Sequence, residues 1–332
     1  MCRNEKMAKI HCLTVGHGDC TIIEHDSGCV TMIDICGGNK ERKALRENAM
    51  LSSNQLSKPR GNYAMCSSAG NPLDYLNDNN LNNIFRFILT HPDMDHMDGF
   101  NALMQQASVS NFWDSGARKV KPDFSGTPYN EADWDRYVKV RDGKDSPTVV
   151  TPKAGSYFSY ANEGRDSGSG DYTHIVSASQ NIVDEANDKQ EFNDASYIIV
   201  FNSAAGRIVI PGDAHDESWE YAINNHGDLL RNVAFLLAPH HGRRSDRDWS
   251  FLDHLNPRFT LLGCAPSQHL AYDAWRNRGL EFMTQNQAGN LVAHPRQTDC
   301  LDIYIENESY VRDSGGDTSI KNNQGFTFYK TV

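Results

Sequence analysis

ThrHisProAspMetAspHisMetAspGly (residues 90–99) follows directly on the apolar run IlePheArgPheIleLeu (84–89). A short run so rich in β-branched and aromatic residues reads as a strand. Residues 97–106 read as a helix, so the quoted segment sits on a strand-to-helix turn. It carries five potential metal ligands in eight residues: His91, Asp93, Asp95, His96 and Asp98. A tight turn after a strand lets alternate side chains converge on one point. Imidazole and carboxylate together suit Zn²⁺, Mn²⁺ or Fe²⁺. A polar turn that merely caps the next helix accounts for a single His–Asp pair but not for this density.

Two later segments repeat the pattern of an apolar strand ending in metal-capable residues. IleValIleProGlyAspAlaHis (208–215) presents Asp213, a carboxylate placed to bridge two ions. PheLeuLeuAlaProHisHisGly (235–242) presents His240 and His241, of which a ligand position needs one. Working outward, residues 9–15, 20–24 and 29–35 read as strands, with HisAspSerGly (25–28) as a hairpin turn. Residues 37–70 and 115–172 are polar and rich in Gly, Ser, Pro and Asp, and read as insertions. The second holds a helix near 130–140. Strands resume at 174–177, 195–201 and 207–210, the last two joined by the turn AsnSerAlaAlaGly (202–206). A helix is expected after Asp213, then strands at 234–238 and 258–263, helices near 246–255 and 270–278, and short C-terminal strands. Strands cluster in two halves with helices interspersed. That pattern predicts two sheets packed face to face with helices outside, in one domain spanning 1–332.

Hydrophobic residues make up 39% of the 332 and charged residues 23%, ordinary for a globular protein. No apolar run reaches the roughly 18 residues of a membrane span. The polar N-terminus and the absence of any CxxC pair among the eight cysteines point to a reducing, cytoplasmic setting rather than a disulfide framework. The net charge of −11 disfavours tight sequence-independent binding to long nucleic acid, without excluding it or phosphate substrates.

The three ligand-bearing elements, in this order, resemble the metallo-β-lactamase superfamily. ValGlyHisGlyAspCysThrIleIle (15–23) and MetIleAspIleCysGly (32–37) resemble its first hairpin. The branch most similar is the one that includes the hydrolase domain of the bacterial competence DNA-uptake channel, with AsnAspAlaSer (193–196) supplying a further match. The likeness runs from about residue 9 to about 293 and is specific only at the motifs. It implies a four-layer αββα sandwich with two divalent ions between the sheets, Zn or Mn, with Fe also allowed. One ion would take His91, Asp93 and Asp213. The other would take Asp95, His96, Asp213 and either His240 or His241. Asp93 stands where most of the superfamily has His, and Asn193 stands in the place of its third-motif His. Both departures weaken the first position and leave one-metal operation open.

The implied chemistry is hydrolysis by a metal-activated water, with Asp95 and His269 in catalytic roles. Asp19, Asp34 and Asn193 are candidates for orienting ligands or substrate. His17 is a weaker candidate for facing the site, and His294 reads as structural. PheTrpAsp (112–114) and the excursion after it read as packing, with a lid over the site as the alternative, and Trp113, Trp134 and Tyr137 as a small satellite cluster. Two enzyme classes fit: a phosphodiesterase or nuclease-like enzyme on small or short substrates, or a carboxylic ester, lactone or thioester hydrolase. A third reading keeps the fold as a binding module without catalysis.

Overall fold

A computed structural model describes residues 8–39, 63–163, 170–296 and 299–332. Strands β1 (Lys9–Cys12), β2 (Thr21–Glu24), β3 (Val30–Ile33), β4 (Asn83–Leu89), β5 (Ser108–Asp114) and β6 (Thr148–Val150) enter one sheet. The chain then builds a second sheet from β7 (Thr173–Ser177), β8 (Ile198–Ser203), β9 (Gly206–Ile210), β10 (Val233–Leu237), β11 (Phe259–Leu262) and β12 (Phe282–Thr284). It returns to the first with β13 (Leu291–Pro295), β14 (Leu301–Ile305) and β15 (Thr327–Thr331). The first sheet runs β15-β14-β13-β1-β2-β3-β4-β5-β6 and the second β12-β11-β10-β9-β8-β7.

Side chains alternate faces along a strand, and here both faces are buried. In β4, Ile88 joins Ile10, Ile23, Ile33 and Trp113 in a core shared with Ile199, Ile208, Phe235 and Leu261 of the other sheet. Its neighbours Phe87 and Leu89 face outward onto Leu73, Leu76, Phe100 and Leu103, carried by the helices Pro72–Asp78 and Phe100–Gln106. The second sheet likewise packs Val200, Val209 and Leu236 outward on Trp219, Phe251 and Trp275, from the helices Asp216–His226, Phe251–Leu255 and Tyr272–Arg276. The layers are therefore helix, sheet, sheet, helix, the αββα order expected. Strands buried on both faces read as continuous apolar runs, which is why they stand out in the sequence.

Several expectations are corrected. PheTrpAsp is packed, as expected, but as the end of β5 paired to β4 in the first sheet rather than as part of an insertion. Trp113 lies in the core between the sheets, while Trp134 and Tyr137 pack outside with Phe100 and Phe112, so they form no single satellite cluster. The excursion contributes β6 to the first sheet and is followed by the unforeseen helix Gln180–Lys189. Cys66 and Cys264 form a disulfide. Such bonds are rare in reducing compartments, so this pair counts against cysteines that all remain thiols. Most of the 37–70 insertion falls outside the described residues. Among the described residues, no helix is long and apolar enough to cross a membrane.

Candidate metal centre

Strand β3 runs parallel to β4, and β9 parallel to β10, so their C-terminal ends meet at one edge of the sandwich. Ligands in open α/β sheets gather at such edges. His91 follows β4, Asp213 follows β9, and His240 and His241 follow β10. Asp19 lies in the loop between β1 and β2, and Asp34 just past β3. Two glycines allow the approach. Gly18 has φ +151°, and a Cβ there would sit 2.1 Å from the Asp95 carbonyl oxygen. Gly212 has φ +52°, and its Cβ would press within 2.7 Å of the Thr90 side chain. Neither turn admits a side chain at those distances.

Three histidines are pinned through Nδ1. His96 Nδ1 lies 2.8 Å from Asp34 Oδ2, and His241 Nδ1 lies 3.1 Å from Asp19 Oδ1. A carboxylate accepts, so in both rings Nδ1 carries the proton and Nε2 a lone pair. His91 Nδ1 lies 3.2 Å from Thr90 Oγ1, whose hydroxyl is already donated to Asp34 Oδ2 at 2.7 Å. That hydroxyl can only accept from His91, which sets the same tautomer. Asp34 thus holds two of the three rings, one directly and one through Thr90.

The three free Nε2 atoms converge. His96 Nε2 is 3.2 Å and His241 Nε2 3.9 Å from Asp213 Oδ1, His91 Nε2 is 4.0 Å from Asp213 Oδ2, and His241 Nε2 is 3.5 Å from Asp95 Oδ2. His91 Nε2, His96 Nε2, His241 Nε2 and Asp213 Oδ1 are all buried without a hydrogen-bond partner. Buried polar atoms are almost always satisfied. With the rings neutral, lone pairs face lone pairs, an arrangement that calls for a proton or a metal ion between them. Ligand atoms of His91, His96 and Asp213, of Asp95, His96 and His241, and of Asp19, Asp213 and His241 lie within 4.8 Å of one another in each set. An imidazole and carboxylate donor set of this kind fits a divalent transition metal.

Electrostatics point the same way. Burial alone would strip the proton from His241, but Asp19, Asp213 and Asp95 outweigh it and lift the ring to about 10. His96, also fully buried, is raised well above its ordinary value by Asp213, Asp34 and Asp95 against the same penalty. Burial disfavours ionised Asp213 and Asp95, yet His96 and His241 hold both carboxyls well below the usual range. For His91, burial and the neighbouring His96 win over the carboxylates and lower the ring. With no cation bound, the carboxylates would draw a proton onto Nε2 of these two rings; a bound cation takes the place of those protons and leaves the Nε2 lone pairs to it.

Other residues named from the sequence stand elsewhere. Asp93 turns its Oδ1 to Lys119 Nζ at 2.7 Å and leaves Oδ2 3.9 Å from His91 Nε2. His240 lies at the mouth, its Nε2 3.6 Å from Asp213 Oδ2. Asp98 accepts from the Gly37 backbone N–H at 2.8 Å and belongs to none of the three ligand sets. His269 is exposed on the turn Ser267–His269, outside the three ligand sets. Asn193 serves through its carbonyl, which accepts from Ser196 N–H. His17 is exposed, and His294 stands in β13 opposite Asp302. The sequence reading missed Thr90, Lys119, Ser245 and Arg247. Thr90 had the only available signal, its place beside His91.

No protein-family model matches the chain, and no curated protein matches it. Among solved structures it is similar to Igni18, a metallo hydrolase from Ignicoccus hospitalis, at 12% identity over 86% of this chain and 98% of that one, with TM-score 0.45. It is similar to the metallo-β-lactamase fold protein YhfI from Bacillus subtilis at 9% identity over 87% and 100%, with TM-score 0.46. A diphosphatase of the PhnP family aligns at 12% identity over 83% and 94%, with TM-score 0.40.

Proposed function

We propose that this protein is a metal-dependent hydrolase of the metallo-β-lactamase kind, acting on small or short phosphodiesters. The observation that carries the reading is the set of four buried, unpartnered ligand atoms on His91, His96, His241 and Asp213. Asp95 completes the set beside His241. A divalent ion held there supplies Lewis acidity and a water acidified to near neutral pH.

The chain's own residues then divide the work. Asp34, Thr90 and Asp19 fix ring orientation and tautomer, which is how outer partners tune a metal site. Asp95, at the rim of the cluster with its carboxyl kept ionised, can accept a hydrogen bond from the attacking water and orient it toward the substrate. The position at His91 is less complete, because Asp93 is engaged by Lys119. The reading is therefore one firmly held ion, Zn or Mn, near His96, Asp95, Asp213 and His241, and a weaker second position at His91.

Support for a phosphodiester over a carboxylic ester comes from Lys119. Its ammonium stands at the rim beside Asp93, partly exposed, where it can meet a non-bridging phosphate oxygen. Purified protein given Mn²⁺ or Zn²⁺ is expected to cleave bis-p-nitrophenyl phosphate in preference to p-nitrophenyl acetate, lactones and thioesters. Cleavage of the carboxylic substrates alone would overturn the substrate class, and cleavage of none would overturn the enzyme reading.

A further inference from the structure

His240 differs from its three neighbours in which nitrogen it offers to the site. The backbone is left-handed at two successive non-glycine residues, His240 (φ 50°, ψ 47°) and His241 (φ 56°, ψ 15°). That conformation costs free energy in L-residues and gathers at functional sites. Its effect is to splay two adjacent rings, which stand 5.9 Å apart at 71°. His241 goes into the buried cluster, while the His240 side chain stays 21% exposed at the mouth.

The Nδ1 of His240 lies 3.3 Å from a guanidinium nitrogen of Arg247 and 3.0 Å from Ser245 Oγ. A guanidinium only donates, so Nδ1 must be the acceptor. A neutral His240 therefore carries its proton on Nε2, the reverse of His91, His96 and His241. Arg247 is fixed in turn: it donates to the Ala214 carbonyl at 2.7 Å and packs over the Trp249 ring at 5.5 Å. The Nε2–H of His240 is 3.6 Å from Asp213 Oδ2, beyond hydrogen-bond reach, so it is available to a group entering the mouth.

We propose that His240 is not a metal ligand but a neutral hydrogen-bond donor, its Nε2–H directed at the oxyanion that develops on the substrate, with Arg247 and Ser245 as the positioning residues that set its tautomer. The role rests on the hydrolase reading above. Donors fixed in advance toward developing charge are worth about 100-fold or more in rate.

The test combines two readouts. Long-range proton–nitrogen correlation spectra of ¹⁵N-histidine-labelled protein, without metal and with Zn²⁺, should show His240 protonated at Nε2 in both, and Arg247→Met should lose that preference. His240→Asn, a replacement suited to a left-handed backbone, should retain wild-type metal content while kcat on bis-p-nitrophenyl phosphate falls about 100-fold with KM little changed. A wild type in which His240 Nε2 binds the metal, or a His240→Asn variant that loses metal as His241→Asn does, overturns this role alone. A wild type that takes up no metal overturns the hydrolase reading, and this role with it.

Discussion

Asp93 is the residue on which occupancy turns. Its spacing from His91 suggests a ligand, yet its carboxylate is drawn to Lys119, 26 residues away in sequence. A carboxylate oxygen held by an ammonium at 2.7 Å is a poor donor to a metal until that contact is broken. Wild-type protein is expected to hold about one ion per chain at micromolar free metal. Lys119→Met, which removes the competing charge but keeps most of the stem, should raise that toward two. Metal analysis by plasma mass spectrometry after gel filtration decides it. Equal content in both proteins would show that Lys119 does not govern the His91 position. His91, Asp95, His96, Asp213 and the HisHis pair were legible because each ends an apolar strand. Which histidine enters the cluster was not, because that depends on a left-handed backbone, on Asp19 far off in sequence and on a side-chain contact from Arg247 that no motif marks.

At the scale of elements, the strands buried on both faces declare themselves, and the hairpin at 25–28 is where it was expected. Strands β5 and β6 do not. Ser108–Asp114 begins SerValSerAsn, three of its first four residues polar, and Thr148–Val150 is three residues long. β5 exists because β4 offers an edge to pair with, and β6 because β5 then offers the next. The helix Gln180–Lys189 escapes notice although Ile182, Val183 and Ala186 share one helical face behind a Ser179 cap; its short, mostly polar sequence hides it among the loop residues.

The hairpin turn carries a pH-sensitive element remote from the metal cluster. His25 is buried, 2.8 Å from Thr31 Oγ1 and edge-on to Phe201. Burial, only partly offset by Asp171, pushes it from 6.5 down to about 4. The unfolded chain then binds a proton below about pH 6.5 that the fold refuses until about pH 4, so stability falls across that window as pH drops. The loss from this one group is on the order of 3 kcal/mol. Urea unfolding at pH 7 and pH 4.5 should show His25→Gln losing less stability than wild type by about that amount. Identical losses in the two proteins would remove His25 from the account.

For the whole molecule, the Cys66–Cys264 bond ties the 3₁₀ turn Met65–Ser68, after the first insertion, to the end of β11, 198 residues later. No spacing rule reveals such a pair, since neither cysteine belongs to a motif. Closing so long a loop restricts the unfolded chain, and reduction should lower stability by about 2–4 kcal/mol. Non-reducing peptide mapping should recover the linked peptides, with the midpoint in urea falling on reduction. Recovery of Cys66 and Cys264 as free thiols would contradict the bond and restore the reducing setting first expected.

The strand ends of both sheets meet at one edge, and everything proposed for function depends on a cation being held there. Crystals grown with Mn²⁺ or Zn²⁺ and measured at the metal absorption edge test this most directly. The account predicts an anomalous peak bonded to His96 Nε2, His241 Nε2 and Asp213, with a weaker or missing peak at His91 and no bond from His240. A peak-free cluster at saturating metal, or a peak coordinated by His240 in place of His241, would contradict it.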